Sequence, residues 1–437
     1  MTDRQLSVFL DGTFVGTAEQ NMSGAYCFRY DDEYRSGTRP TPLSLSMPLV
    51  QQEHRGRSVH FFLDGLLPDS ESARRRWGTQ YGVNPGNPFA LLRNVGRDAA
   101  GAVQILPAGA ESTDAAARNG DIEWLSDDEV ADIVVDLASH RDDWDPGRSR
   151  GLWSLAGAQP KIALHRNEEG RWGIPRDSTP TTHIIKPAIA EFDAHEINET
   201  LCIRTASNLG LRASKIEVLE LPGARAVVSE RYDRVRQEGR WVRRHQEDLC
   251  QALAVSPKQK YQTDKGPGVA DVARIAHQLP HVEDRRDVGV GFFKGLAFNV
   301  LTGSPDAHAK NYSLLLSRDR VILAPLYDIA SAAPYVSEER FTSAMSVNKK
   351  WRMLDITIED WEQAGARLGL QRGEAEDMVK QMREGMDSAL SQAVDSMPDD
   401  ARDSAASMAE AISEHTHGRW RPAARSRSGH RSGDLAH

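Results

Sequence analysis

Short apolar runs separated by turn residues open the chain and predict a small β-rich unit. In LSVFLDGTFVGTAEQ, Asp11 and Gly12 stand between two such runs, a pattern typical of a β-hairpin. Downstream, VHFFLDGLLPD predicts an apolar helix, a polar helix ends at Gly82, and NPFALLRNVGRDAAGAVQIL predicts a further helix and a strand. We therefore assign residues 1–108 to a first unit, followed by a small, polar linker at 109–123.

Strand and helix patterns alternate in the middle of the chain. PKIALHR and RWGIPRD predict a strand pair across NEEG, and THIIKPA predicts a third strand. EFDAHEINETLCIRTASNLG then predicts a helix that ends at Gly210, and KIEVLEL with ARAVVSERYD predicts a hairpin around Pro222 and Gly223. The order strand, strand, strand, helix, strand, strand indicates a mixed α/β unit at 124–242.

From residue 243 the apolar spacing becomes helical. HQEDLCQALAV, VADVARIAHQL and RDVGVGFFKGLAFNVLTG predict helices, YSLLLSRDRVILAPLYDIAS predicts a hairpin, and GEAEDMVKQMREGMDSALSQAV is one of two predicted closing helices. This unit spans 243–417, and the Arg-, Ser- and Gly-rich segment 418–437 predicts a disordered basic tail. One face of GEAEDMVKQMREGMDSALSQAV carries residues that we assign to the core: Met378, Met382, Met386 and Leu390.

Composition limits the classes of protein without changing this division. The 437 residues are 39% hydrophobic and 27% charged, as in ordinary globular proteins. No apolar run approaches the ~20 residues of a membrane span, and the N-terminus lacks a secretory pattern, so we expect a cytoplasmic protein without membrane contact. A net charge of −9 argues against a surface devoted to nucleic acid. Cys27, Cys202 and Cys250 are widely spaced and predict unpaired thiols.

A dense polar cluster, SPDAHAKNYSLLL, stands just before a predicted strand. A sheet with one helix followed by a helical lobe is the layout of a bilobal kinase, which needs a base and magnesium ligands at this point. Asp306 and Asn311 have the D-x-x-x-x-N interval in which the Asp faces a substrate hydroxyl and the Asn faces a metal. Asp328, after the next hairpin, offers an anionic magnesium ligand, which leaves His308 to donate to a phosphate oxygen.

The same chemistry requires a lysine and a phosphate-binding loop upstream. Lys186 ends the apolar strand HIIKPA, and a carboxylate of the following helix, Glu199 or less favourably Glu196, could hold its ammonium group. The loop SLAGAQPK contains a single glycine, Gly157, but its small residues allow close approach of the backbone. Successive N–H groups of this loop could therefore bind an anion.

The ordered set of motifs resembles the HipA family of bacterial serine/threonine kinases, the toxins of HipBA toxin–antitoxin modules. The set comprises SLAGAQPK, HIIKPA, NETLC, SERYDR, RRHQEDLCQAL, SPDAHAKNYSLLL and APLYDIAS, while FFLDGLLPD and VGRDAAGAVQIL resemble that family's N-terminal domain. The resemblance covers nearly the whole chain. It implies an α+β, bilobal kinase-like fold with a small β-rich N-terminal subdomain, a mixed α/β ATP-binding lobe and an all-α C-terminal lobe.

The resemblance also implies roles for individual residues. Asp306 would be the catalytic base, Asn311 and Asp328 would bind Mg²⁺, and Gln246 would lie near the substrate cleft. Ser154 would be autophosphorylated, which would shut off ATP binding, and residues 230–232 would form the hinge that meets adenine. The residues expected to hold ATP are Ala156, Gly157, Ala158, Gln159, Pro160, Lys161, Lys186, Glu230, Arg231, Tyr232, His308, Lys310 and Tyr327.

The resemblance further implies a toxin that arrests growth and favours persistence. Its partners would be a small helix-turn-helix antitoxin of the HipB type, operator DNA reached mainly through that antitoxin, and a protein substrate. The substrate would be an aminoacyl-tRNA synthetase, such as glutamyl-tRNA synthetase.

Two other interpretations stay open. A metal-dependent phosphohydrolase would use Asp306, His308 and Asp328, but it needs further ligands and gives Lys186 no role. A non-catalytic partner in a repressor complex would contact DNA indirectly or through Lys380 and Arg383.

Overall fold

A computed structural model describes residues 4–38, 40–139, 153–189, 191–337 and 341–418. The predicted basic tail lies outside these ranges from residue 419 onward. The chain begins with an antiparallel sheet of order β4-β3-β2-β1-β5, made of β1 (Gln5–Leu10), β2 (Thr13–Gln20), β3 (Tyr26–Tyr30), β4 (Glu53–Arg55) and β5 (Val103–Pro107). Asp11 and Gly12 both have positive φ, 47° and 84°, and form the predicted two-residue turn between β1 and β2.

Helices cover this first sheet. They are α1 (Asp32–Ser36), α2 (Arg57–Gly65), α3 (Glu71–Tyr81) and α4 (Pro88–Val95). The apolar sides of α2 and α4 bury Phe62, Leu63 and Leu92 in one core with Val8 and Phe28 of the sheet. The helix predicted in VHFFLDGLLPD is therefore stabilised because one face of it is apolar and packs against the sheet.

A second antiparallel sheet, of order β10-β11-β9-β7-β8-β6, confirms the predicted alternation. Its elements in chain order are α5 (Ser112–Ala116), β6 (Ile122–Trp124), α6 (Asp127–Ser139), β7 (Ile162–Arg166), β8 (Trp172–Pro175), β9 (His183–Pro187), α7 (His195–Asn208), β10 (Ile216–Leu221) and β11 (Ala224–Glu230). Helix α5 lies within the segment 109–123 and strand β6 begins in it, so that segment is not irregular throughout. Helix α6 packs on the sheet through Val130 and Val134.

The remainder is mainly helical. Its elements are β12 (Arg234–Gln237), β13 (Arg240–Arg243), β14 (His245–Asp248), α8 (Leu249–Ala252), α9 (Val269–Gln278), α10 (Val282–Leu301), β15 (Ser313–Ser317), β16 (Arg320–Leu323), β17 (Thr342–Val347), β18 (Lys350–Arg352), α11 (Ile358–Arg367), α12 (Glu374–Asp395) and α13 (Arg402–Gly418). The predicted hairpin is β15–β16, and Met382, Met386 and Leu390 of α12 are buried with Met378 packed beside them, as predicted. In the described ranges three helices, not two, follow the last strand.

One predicted helix is wrong. The segment HQEDLCQALAV forms strand β14 followed by a single helical turn, α8, because β14 pairs with β15 along its whole length. Asp248 ends the strand and caps the turn: its carboxylate accepts the backbone N–H of Gln251 at 2.8 Å, and the Gln251 side chain accepts the N–H of Asp248 at 3.0 Å. Tertiary pairing thus overrides the helical spacing of the apolar residues.

The cysteines remain free, as predicted: Cys202 and Cys250 are buried and Cys27 is partly buried. Within the described part of the chain, no helix combines the length and the apolar character needed to cross a bilayer.

Candidate active site

A cleft of about 810 Å³ lies between the second sheet and the helical part of the chain. Its walls include the loop before β7, Lys186 on β9, the segment that leaves β11, and the polar cluster that precedes β15. Asp69 of the N-terminal unit also lines it. Most of the groups that the sequence singled out, although far apart along the chain, therefore face one space.

The polar cluster folds into a tight turn that orients its own side chains. The backbone carbonyl of Asp306 accepts the N–H of His308 at 2.8 Å and the side-chain amide Nδ2 of Asn311 at 2.7 Å. This second bond fixes the Asn311 amide and leaves its oxygen Oδ1 as the atom that can bind a cation. The Asp306 carboxylate is exposed in the cleft and accepts a hydrogen bond from the hydroxyl of Tyr261.

His308 is buried at the base of this turn, and its Nδ1 has no hydrogen-bond partner among the described residues. Burial lowers the pKa of His308, so the imidazole is neutral at pH 7. A buried ring nitrogen without a partner fits the expectation that this side chain meets a ligand.

Lys310 and Tyr327 line the cleft but are already engaged by protein groups. The ammonium of Lys310 donates to Oδ1 of Asp69 at 2.5 Å, so in this structure its charge is turned to the N-terminal unit. The hydroxyl of Tyr327 donates to the backbone carbonyl of Lys310 at 2.7 Å, and its ring lies 5.7 Å from that of Tyr232.

Lys186 contacts two carboxylates. Its Nζ is 2.7 Å from Oε1 of Glu199 on α7 and is also hydrogen-bonded to Asp328. Burial alone would lower the pKa of Lys186, but Asp328 and Glu199 outweigh it and raise the pKa. Glu196 instead approaches Arg225, at 3.9 Å, so Glu199 is the carboxylate that holds Lys186.

Asp328 occupies an unusual backbone conformation. Its φ is 58°, in the left-handed region that non-glycine residues rarely adopt. Burial opposes ionisation of its carboxyl group, but Lys186 and Lys161 outweigh that effect and hold the pKa of Asp328 well below its usual range. A strained, ionised aspartate in a cleft is a common feature of functional sites.

The loop before β7 wraps around a lysine. Gly157 has φ 109°, a backbone conformation that residues with a Cβ rarely adopt, so this position favours glycine. The Lys161 ammonium donates to the carbonyl of Ala156 at 2.8 Å. Burial, and then the charge of Lys186, lower the pKa of Lys161 to about 8.

Other members of the loop differ in exposure. Ala158 and Gln159 line the cleft, and Nε2 of Gln159 donates to the carbonyl of Pro187 at 3.3 Å. Pro160 is buried and does not line the cleft. The carbonyl of Gly157 accepts the N–H of Asp69 at 2.9 Å, which fastens the loop to the N-terminal unit.

The predicted hinge lines the cleft, but its side chains point to different partners. The N–H groups of Glu230 and Arg231 donate to backbone carbonyls outside the cleft, each at 2.9 Å. The Arg231 guanidinium is buried against Asp98 and Asp233, so this residue can serve a ligand only through its backbone. The Tyr232 hydroxyl donates to the side chain of Gln246, which also lines the cleft.

Ser154 does not face the cleft in this conformation. It is fully buried, its hydroxyl donates to the carbonyl of Leu66 at 2.7 Å, and its N–H donates to the carbonyl of Asp98 at 3.0 Å. Any chemistry at this hydroxyl requires release of the segment from the N-terminal unit.

Sequence reasoning missed Asp69 and Tyr261. Asp69 lies between Lys310 and Lys260, 2.5 Å and 3.1 Å from their ammonium groups. Burial raises its pKa, but the two lysines outweigh burial and lower the pKa to about 2. The only sequence signal for Asp69 was its position in the segment FFLDGLLPD, and no sequence signal pointed to Tyr261.

The site fits magnesium through oxygen ligands and offers no wider ligand cluster. Asn311 and Asp328 both line the cleft, and their amide and carboxylate oxygens are the ligand types that Mg²⁺ prefers. In the described ranges, no group of three or more His, Cys, Asp or Glu side chains is arranged to hold a metal ion. The phosphohydrolase interpretation required such a group.

Comparisons with known proteins point to one family. A family model described as HipA-like C-terminal domain matches residues 153–390, and one described as HipA N-terminal domain matches residues 6–106. The chain is 33% identical over 410 residues to the putative kinase Y4mE of Sinorhizobium fredii, covering 92% of this chain and 96% of that protein. It is 31% identical over 316 residues to the serine/threonine-protein kinase toxin HipA of Shewanella oneidensis, covering 68% and 69%.

A solved structure shares the fold. The chain resembles HipA in a complex of Shewanella oneidensis HipA, HipB and operator DNA with a TM-score of 0.80 and 24% identity, over 94% of this chain and 96% of that one.

Proposed function

The chain belongs to the HipA family of serine/threonine kinases, and on that premise we propose that its cleft transfers the γ-phosphate of ATP to a serine or threonine of a protein substrate. The observation that carries the proposal is the convergence on one cleft of Asp306, Asn311, Asp328 and the Lys186–Glu199 pair. These are the groups that phosphoryl transfer requires.

Each residue has a distinct task in this proposal. Asp306 receives the proton of the substrate hydroxyl, for which its exposed carboxylate is suited. Asn311 and Asp328 hold Mg²⁺, which when bound supplies positive charge to the phosphates. Lys186, kept charged by Glu199, binds phosphate oxygens once Asp328 turns to the metal.

ATP binding falls to the loop and to the hinge. Gly157 lets the loop backbone approach closely, and Lys161 beside it, whose pKa of about 8 leaves it mainly charged at neutral pH, can bind a phosphate oxygen. The segment 230–232 meets adenine through those backbone groups that are not already bonded to protein, since the N–H groups of Glu230 and Arg231 and the Arg231 side chain are engaged elsewhere. His308 donates to a phosphate oxygen, and Lys310 and Tyr327 support the site from its floor.

The division of the chain follows the same assignment. We propose an N-terminal HipA unit at 1–108, a linker at 109–123, a kinase N-lobe at 124–242 and a helical C-lobe at 243–417, with 418–437 as a basic tail. The proposed compartment is the cytoplasm.

We also propose that the protein is a toxin neutralised by a small, basic, helix-turn-helix antitoxin. The solved relative was obtained with HipB and operator DNA, and the net charge of −9 favours a basic partner. Operator DNA is reached mainly through the antitoxin, because a net charge of −9 disfavours direct contact of this chain with DNA. Purification of the native operon product as a lone monomer, without a co-eluting small protein, contradicts this part.

The substrate we propose is an aminoacyl-tRNA synthetase, such as glutamyl-tRNA synthetase. Phosphoproteomes of cells that express the wild type or Asp306→Asn at equal levels identify it. A serine or threonine of a synthetase modified only by the wild type supports the proposal. Sites confined to other proteins refute the substrate class, and identical phosphoproteomes refute the kinase assignment.

A further inference from the structure

The phenol of Tyr261 donates a hydrogen bond to the carboxylate that we assign as the base, at 2.5 Å from Oδ1 of Asp306. We propose that Tyr261 is a positioning residue, which holds the Asp306 carboxylate so that its other oxygen is presented to the substrate hydroxyl. The inference rests on the proposed role of Asp306 and adds a residue that the motifs do not contain.

Asp306 needs such a partner because little else holds it. Its side chain is exposed in the cleft, and in the described ranges the Tyr261 hydroxyl is the sole hydrogen-bond donor to its carboxylate. A hydrogen bond to an ionised acceptor is stronger than one between neutral groups, and it selects one rotamer of a short side chain. One carboxylate oxygen is thereby fixed, and the other stays free for a second donor.

The loop that carries Tyr261 is braced on several sides. The carbonyl of Lys260 accepts the N–H of Ala309, inside the polar cluster, at 3.1 Å, and the Lys260 ammonium is 3.1 Å from Asp69. The carbonyl of Tyr261 accepts the N–H of Gly266 at 2.9 Å, and a Cβ on Gly266 would collide with this carbonyl. These contacts therefore hold the backbone that carries the phenol in place.

The ring itself is also fixed. Its plane lies nearly perpendicular to the His308 ring, at 83° and with 4.9 Å between centroids. Burial and the neighbouring Asp306 carboxylate raise the pKa of Tyr261, so the phenol remains a donor across the physiological pH range. A fixed donor that contacts an exposed carboxylate is the arrangement that a positioning residue requires.

Two other roles predict different outcomes. If Tyr261 blocked the base as a plug, its hydroxyl would occupy the place of the substrate hydroxyl, and removal would raise the rate. If Tyr261 only packed the loop, removal of one oxygen from an intact ring would leave the rate unchanged.

The kinetic test compares Tyr261→Phe with the wild type. We expect kcat to fall about 10- to 100-fold, the effect of one hydrogen bond to a charged group, while the KM for ATP changes less than about twofold. Tyr34→Phe is the matched control, because the Tyr34 hydroxyl also donates to protein, to the Thr41 carbonyl at 2.7 Å, but lies outside the cleft. An unchanged or raised kcat in Tyr261→Phe overturns the inference.

A spectroscopic test examines the contact without catalysis. With 3-fluorotyrosine incorporated at position 261, the fluorine resonance reports the hydrogen bond of that phenol, and it should shift in the Asp306→Asn background. The same label at position 34 should not shift. If the resonance at position 261 is the same in the wild-type and Asp306→Asn backgrounds, the contact is refuted. If the resonance differs between the two backgrounds but the protein that retains Asp306 transfers no phosphate, the proposed function is refuted instead.

Discussion

Lys186 and Glu199 form a buried ion pair, 2.7 Å between Nζ and Oε1, that joins strand β9 to helix α7. Asp328 shares the same ammonium from the helical side of the cleft. A buried pair of this kind gives little net stability, because desolvation opposes the attraction. Its value here lies in holding a charged lysine at the point where the two halves of the cleft meet.

Because Glu199 and Asp328 both contact the Lys186 ammonium, the effect of Asp328→Ala can be predicted. We expect magnesium-dependent nucleotide binding to weaken about tenfold or more, since a metal ligand is lost. Binding without magnesium should change little, because Lys186 retains Glu199 and is released from Asp328. Calorimetric titration of nucleotide with and without magnesium distinguishes the two effects.

Asp319→Ala serves as the control, because Asp319 is exposed at the β15–β16 turn and lies outside the cleft. Equal weakening of nucleotide binding by Asp328→Ala in both conditions contradicts a metal-ligand role.

Ser154 is predicted to be modified by the kinase itself, with loss of activity. Because the hydroxyl is buried against the Leu66 carbonyl, modification requires the segment to swing out. A phosphate adds close to two negative charges, so the segment cannot return to this site. Mass spectrometry after incubation with magnesium and ATP should find phosphate at Ser154, together with inactivity of the modified fraction.

Ser154→Ala should bind ATP but resist self-inactivation, whereas Ser154→Asp should mimic the phosphate poorly because it has one charge and a different shape. The proposal fails if Ser154 stays unmodified in active protein, or if a fully modified sample retains full activity.

Glu247 should make stability fall as pH rises. Its buried carboxyl group accepts hydrogen bonds from the Ser44 hydroxyl at 2.5 Å and the Leu45 N–H at 2.8 Å, and burial raises its pKa from 4.5 to about 8. The folded state therefore binds a proton that the unfolded state releases above about pH 4.5. The contribution to stability is complete below that pH and is lost as the pH rises through about 8.

In Glu247→Gln the amide oxygen can accept the Leu45 N–H and the amide NH2 can donate to the Ser44 hydroxyl oxygen, so both contacts can form without a charge. The variant should therefore stabilise the protein by about 1 kcal/mol or more at pH 8 and change little at pH 5. Denaturant unfolding at both pH values checks this, with the exposed Glu384→Gln as control. A gain that is equal at the two pH values contradicts the assignment.

The parts of the fold that the sequence predicted are those that depend on interactions between residues close together in the chain. The Asp11–Gly12 turn needs positive φ at both residues, and the spacing of Asp306 and Asn311 fits within a single turn that ties one to the other. Strand β14 was mistaken for a helix because its partner β15 follows it only after three α-helices. Pairing at that distance leaves no trace in apolar spacing.

The candidate site divides in the same way. Its motifs could be found in order, but the choice of Glu199 over Glu196 depends on how α7 packs against β9. The Asp69–Lys310 contact joins residues 241 positions apart, and the Tyr261–Asp306 contact joins residues 45 apart. Such contacts arise from tertiary packing, so a single sequence gives no spacing from which to predict them.

The central claim is that Asp306 is the base of a phosphoryl transfer, and transfer of labelled γ-phosphate by the wild type and Asp306→Asn tests it most directly. Asn matches Asp in size and removes the proton acceptor, so nucleotide binding and fold should persist in the variant. With magnesium and a serine-containing protein substrate, the wild type should transfer label and Asp306→Asn should lose at least about 100-fold in rate. Undiminished transfer by Asp306→Asn would contradict the account.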